Sequence, residues 1–293
     1  RRTFFPLLYG PDHPYGIAGS GSGDAKAVAA LTRNDLAAFH HKWIRADNAE
    51  IFAVGDTTLE GLKAELESRF AAWPMTRDLP GKKDFGAAIP APTPRILIVD
   101  RPQSPQSMIY AGHVLNGRGS DDLIDLLAAN DILGSNFLSR INMDLRETKG
   151  WSYGAWSLID RNEQNLAYVI VAPVQADKTG ESIAAIRQDI ADFMATRGVT
   201  PEELQRTVNG SIRELPGGFE TSGAVLTEMQ RDALFNRPFD YVETLAARYQ
   251  GQTAAALDNA ARKAIDPAKI QWVIVGDKNV ILPQLKGLGL PVE

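Results

Sequence analysis

The sequence predicts an α+β fold of two homologous units, the first of them truncated on its N-terminal side. Three observations carry that expectation. Short β-branched runs alternate with longer stretches of helical periodicity along the whole chain. A proline-rich stretch, residues 74–94, divides it into unequal parts. A helix followed by a strand and Val-Gly-Asp occurs twice at a fixed spacing.

In chain order, Thr32 precedes Asp35 as a capping box and opens a helix with Leu36, Phe39, Trp43 and Ile44 on one side. A buried strand is expected from Ile51 to Val54, ended by Gly55-Asp56. A helix follows from Leu59 to Phe70, with Leu62, Leu66 and Phe70 four apart. PMTRDLPGKKDFGAAIPAPTP has five prolines and no sustained periodicity, so it reads as an interdomain linker. Beyond it, strands are expected at Arg95–Asp100, Ser107–Val114, Ser152–Ile159 and Leu166–Val171. Helices are expected at 121–133, 137–148 and about 178–196, and then from Thr200-Pro201-Glu202-Glu203, a capping box with proline in the first turn. Two more helices lie near 221–235 and 239–249.

The repeat aligns LTRNDLAAFHHKWIRADNAEIFAVGD, from residue 31, without gaps on QTAAALDNAARKAIDPAKIQWVIVGD, from residue 252. Thr32/Thr253, Leu36/Leu257, Lys42/Lys263, Ile44/Ile265, Val54/Val275, Gly55/Gly276 and Asp56/Asp277 are identical pairs. If the second unit starts at Arg95, a duplication puts about 125 residues of the first ahead of Arg1. The expected domains are therefore 1–73, the C-terminal part of a first unit; 74–94, a linker; and 95–293, a complete second unit. The opening RRTFFPLLYG lacks a signal-peptide layout and reads as the start of a fragment or processed product.

Composition narrows the function. No apolar run is long enough to span a bilayer. A net charge of −5 without a Lys/Arg cluster argues against nucleic-acid partners and membrane insertion. Cysteine is absent, which excludes disulfides, thiol nucleophiles and Cys-bound metals. It leaves the compartment open between a bacterial periplasm, which we favour, and a cytosol.

Among His13, His40, His41 and His113, no pair has the spacing of a zinc motif on one helix face, so no metal site is expected in the chain. The run GSGSGD (19–24) lacks the Lys-Ser/Thr of a phosphate loop and reads as a turn into an Asp24 N-cap. No G-x-S-x-G elbow is present. What remains is Arg146 and Tyr153, on either side of Lys149-Gly150. Two readings stay open. The pair is a helix-to-strand corner stopped by a left-handed Gly150, or the reversal brings guanidinium and phenol to one groove, where both hold a peptide carbonyl.

In order along the chain, HPYG (13–16) with Gly19, the segment from Leu31 to Asp56, Gln106 with its strand to Val114, DDLIDLLAANDILG and SRINMDLRETKGWSYG resemble the pitrilysin-type (insulinase, mitochondrial processing peptidase) zinc metallopeptidases. The resemblance covers nearly the whole chain. It implies paired α/β-roll domains, each a mixed or antiparallel sheet packed by helices. It also implies a zinc-bearing half with His-x-x-Glu-His and a second half that supplies Arg and Tyr to the peptide. Arg146 and Tyr153 match that pair. No His-x-x-Glu-His occurs here, so the chain is read as the zinc-free, substrate-binding portion, inactive alone, with zinc in a partner half. Two alternatives remain: a fragment of the zinc-bearing half with its motif upstream of residue 1, or a structural scaffold subunit.

Overall fold

The computed structural model describes residues 1–17, 23–73 and 78–293. Helix α1 (Phe4–Tyr9) is followed by α2 (Ala25–Ala30), α3 (Arg33–Trp43) and α4 (Leu59–Phe70). Then come β1 (Ile96–Asp100), β2 (Gln106–Val114), α5 (Ile124–Asn130), α6 (Arg140–Asn142), β3 (Trp156–Asp160) and β4 (Ala167–Gln175). The chain closes through α7 (Thr179–Ala195), α8 (Pro201–Glu214), α9 (Ser222–Leu234), α10 (Tyr241–Gln250), α11 (Ala254–Ala264), β5 (Gln271–Gly276) and α12 (Lys278–Ile281). The fold is α+β.

The strands form one sheet in the order β1-β5-β2-β4-β3, antiparallel except for the parallel β1–β5 pair. Its central strands are nearly continuous apolar runs because both faces are covered. On one face the main core gathers Ile132, Ile141, Leu145, Ile183, Ile186 and Leu257 from the helices. On the other, Phe4, Phe5, Leu8 and Tyr9 of α1 pack on Ala167, Val169, Val171 and Val273. Helix α1 thus packs on a sheet built from strands between residues 96 and 276. Edge strand β1 is covered by the chain end, Ile96 donating to Pro291 O and Glu293 donating to Ile96 O.

The two capping boxes form as their sequences require. Thr32 Oγ1 accepts from Asp35 N, and Thr200 Oγ1 accepts from Glu203 N, each reciprocated by the acidic side chain. Residues 79–95 form no helix or strand, and Gly81 N donates to Lys42 O on the end of α3.

The repeat is real in local structure and unequal in surroundings. Thr253 caps α11, whose Leu257, Ala261 and Ile265 are buried, and β5 follows between β1 and β2. Thr32 caps α3 in the same way, but Leu36 is 59% exposed where Leu257 is 0%. Ile44 is 48% exposed where Ile265 is 2%. The strand expected at Ile51–Val54 is not formed. The segment is extended but has no neighbouring strand among the described residues, and a lone strand leaves its N–H and C=O groups to water. Propensity and pattern create the helix locally, whereas the strand needs a partner.

This asymmetry predicts unequal costs for one substitution. Leu257→Ala should lower the unfolding free energy by about 2–5 kcal/mol, by loss of transfer energy and creation of a cavity. Leu36→Ala should change it by less than about 0.5 kcal/mol. Denaturant titration of both variants checks this; equal losses would contradict the exposed placement of α3.

Candidate functional site

The segment carrying Arg146 begins at α6, which is held from two sides. Arg140 Nε and Nη2 meet both carboxylate oxygens of Glu203 on α8, at 2.8 and 2.7 Å. Its guanidinium also lies over Phe193, 4.9 Å from the ring centroid. Past Asn142 the backbone widens into π-type turns over Met143–Thr148. Such widening rotates the following side chains off the ordinary helical stripe and recurs at functional sites. Ile141 and Leu145 are buried, whereas Phe137, the first residue of the stretch expected to be helical, precedes the helix and is 55% exposed. Its ring instead supports Arg146, whose guanidinium carbon lies 4.6 Å from the centroid.

Gly150 stops the helix with φ +67°, the left-handed conformation anticipated from its position. Trp151 N then reaches back to Leu145 O at 2.9 Å. Two further bonds aim the returning chain. Asn142 Oδ1 accepts from Ala155 N at 3.0 Å, and Gln175 Nε2 donates to Gly150 O at 3.0 Å. The corner is therefore tied to β4 and to the helix before it.

Arg146 and Tyr153 line one cleft of about 340 Å³, with Gln106, Glu147, Trp151, Ser152 and Gln175. Arg146 Nε pairs with Glu147 Oε1 at 3.0 Å, an exposed contact that a ligand can displace at little cost. Tyr153 is 87% exposed, and among the described residues its hydroxyl makes no hydrogen bond. A free phenol and a stacked guanidinium at one opening can both donate to a carbonyl oxygen. A larger groove, about 580 Å³, lies between α7 and residues 267–288, but Arg187 is its one ionisable lining residue and donates to Leu288 O.

Behind the cleft, Lys149 is ion-paired with Asp144, and its ammonium lies 5.5 Å from the Trp151 ring centroid. Asp189 of α7 faces this pair with a buried Oδ2 that has no hydrogen-bond partner. Burial, and next the charge of Asp144, push the Asp189 carboxyl up to about 7, against the opposing pull of Lys149 and Arg197. Nothing in the local sequence of α7 marks this residue; its state is set by what packs on it.

Of the histidines, His113 is buried and accepts from Asp266 N at 3.1 Å while its Nδ1 contacts Val114 O at 2.9 Å. His13 is buried against Tyr9, and His40 and His41 are exposed on α3. Among the described residues no group of three or more His, Asp or Glu converges as a metal site, so the residues present do not fit a zinc ion. Asp24 caps α2 through Lys26 N and Ala27 N, while Gly19 and most of the GSGSGD run fall outside the described residues.

Because the Asp189 carboxyl is raised in the folded state, its stabilising share is complete below its unfolded value and is lost as pH rises toward about 7. Asp189→Asn should flatten the melting temperature between about pH 4 and pH 7 and exceed the parent protein above that range. Parallel pH profiles for parent and variant would contradict the assignment.

Comparison with known proteins agrees with the architecture. The family model described as Peptidase M16 inactive domain matches residues 30–211. An uncharacterized zinc protease of Mycobacterium tuberculosis is 26% identical over 232 residues, covering 79% of this chain and 52% of that protein. One from Bacillus subtilis is 21% identical over 187 residues, covering 63% of this chain and 43% of that protein. The chain thus spans about half the length of the curated M. tuberculosis relative. A crystal structure of a peptidase M16 inactive domain from Pseudomonas fluorescens superposes with a TM-score of 0.83 at 24% identity, covering 94% of this chain and 64% of that one. A Helicobacter pylori protease superposes with a TM-score of 0.74 at 15% identity, covering 87% of this chain and 61% of that one. With more than half its length matched, this chain belongs to the Peptidase M16 inactive-domain family of zinc-protease relatives.

Proposed function

We propose that the chain is the substrate-binding, zinc-free portion of a pitrilysin-type zinc metalloendopeptidase, with Arg146 and Tyr153 presented to a peptide whose cleavage site is completed by a zinc-bearing homologous half. The observation that carries this reading is the shared cleft of Arg146 and Tyr153 at the widened helix end. Arg146, steadied on Phe137, anchors a substrate carbonyl through its planar donors. Tyr153 donates its O–H to the carbonyl oxygen as negative charge gathers there in the tetrahedral transition state. Zinc in the other half would supply the activated water and Lewis acidity. Removed from bulk water by the closing partner, both donors would gain strength.

The domain assignment belongs to the same proposal: 1–73 as the C-terminal part of a first peptidase-like domain, 74–94 as linker and 95–293 as a complete second one. The exposed Leu36, Phe39 and Ile44 support it, because the matching face of α11 is buried against α5 and α7. A second reading has a specific observation behind it. The M. tuberculosis relative named zinc protease is about twice as long as its matched region, which fits a zinc motif earlier in the same polypeptide.

Tyr153→Phe separates function from fold. Its hydroxyl is free, so the melting temperature should not change, whereas peptide turnover by the assembled enzyme should fall roughly 10²-fold. A large loss of melting temperature with normal turnover would make the corner purely structural.

A further inference from the structure

A second cavity, of about 270 Å³, lies between β3, α5, α8 and α10, away from the Arg146 cleft. Its charged donor is Arg161, which follows the last residue of β3 and is half-buried. Among the described residues the Arg161 guanidinium makes no hydrogen bond or ion pair. Arg231 and Arg237, of its own sign, act against its charge. Those two are provided for. Arg231 pairs with Glu228. Arg237 donates to Gly119 O at 3.1 Å and stacks on Tyr241, with the buried Asp232 beside both. One positive charge is left uncompensated, and it is the one that faces the cavity.

The remaining donors point to what would compensate it. Tyr249, Ser135 and Ser211 also line the cavity, and among the described residues their hydroxyls make no hydrogen bond. Asn130 is committed to Ser157, by bonds of 3.1 and 2.6 Å, and only shapes the cavity. Asp131 also lines it, with Oδ2 accepting from Thr207 at 2.9 Å. That carboxylate disfavours a dianion such as phosphate but tolerates a single negative charge spread over two oxygens. Leu127, Leu158 and Ile159 supply an apolar floor suited to a methylene stem.

We propose that this cavity is a carboxylate-binding site for peptides, in which Arg161 forms a bidentate pair with an Asp or Glu side chain or with a free chain terminus, and Tyr249 donates a further hydrogen bond. A half-buried guanidinium without a counter-ion costs stability, and a bound carboxylate returns it through two charge-assisted hydrogen bonds. The site is independent of the Arg146–Tyr153 reading, because it is detected by binding without cleavage.

The test is calorimetric titration of the chain with four probes: a peptide blocked at both ends whose one charged group is a Glu, an N-terminally blocked peptide whose one charged group is its free C-terminus, a fully blocked neutral peptide, and inorganic phosphate. At least one carboxylate-bearing peptide should bind, and the fully blocked neutral peptide should not. Which of the two binds tells side chain from chain terminus. Arg161→Gln should weaken that binding at least about tenfold, and Arg213→Gln, an exposed charge elsewhere on α8, should leave it unchanged. Unliganded Arg161→Gln should melt at or above the parent temperature, since an uncompensated charge is removed. Tyr249→Phe removes no hydrogen bond present in the structure and should weaken binding about threefold with unaltered melting. The proposal is overturned if neither carboxylate peptide binds, if Arg161→Gln binds as tightly as the parent, or if phosphate binds more tightly than both.

Discussion

The rest of the structure depends on the burial of one helical face in the core that the helices share with the sheet. In α11 that face is Leu257, Ala261 and Ile265, and it lies on the same core as Ile132, Ile183 and Trp272. Fully burying such aliphatic side chains is worth about 1.5–3 kcal/mol each, the largest favourable term available to a chain without disulfides. It also fixes β5, which lies between β1 and β2 and so sets the register of the sheet. Where the pattern recurs as α3 and residues 51–54, Leu36, Phe39 and Ile44 stay exposed and no sheet forms among the described residues. One sequence pattern has two outcomes, and the difference lies in the neighbours.

The cleft inherits its precision from that sheet. β4 is central, and its last residue, Gln175, holds Gly150 O through its side chain while its own N–H donates to Trp151 O at 2.9 Å. Arg140 clamps the other end of the segment to Glu203. Between these anchors the π-type turns and the left-handed glycine place Arg146 and Tyr153 on one opening. Among the described residues Arg146 keeps only the exposed partner Glu147 and the Tyr153 hydroxyl has none, while Arg140, Asn142 and Gln175 around them are bonded. Rigid support under free donors is what a binding site needs.

Much of this was legible in the sequence. The helix starts at Arg33 and Pro201 followed from Thr–Asp and Thr–Glu spacing, because caps are local chemistry. Gly150 as the helix stop, and Arg146 with Tyr153 as one corner, were legible for the same reason. What was not legible depended on distant neighbours. Phe137 looked like the first member of a buried stripe, but the helix begins three residues later and the widened turns shift the stripe. Ile51–Val54 has every mark of a strand except a partner. Asp189 and Arg161 sit in stretches that read as an ordinary amphipathic helix and a polar turn. Only the fold shows one facing Asp144 and the other facing two arginines.

The central proposal is that one copy of the repeat is packed in this chain and the other becomes covered only in the assembled peptidase. Amide hydrogen exchange, followed by residue on the chain alone and on the assembled peptidase, tests it most directly. In the chain alone, Val273–Val275 should exchange only through near-global unfolding while Phe52–Val54 exchange almost freely. On assembly, Phe52–Val54 and the exposed face of α3 should gain protection of at least about 10²-fold, with β5 unchanged. Equal protection of both copies in the chain alone, or no gain at 52–54 in the assembled enzyme, would contradict the account.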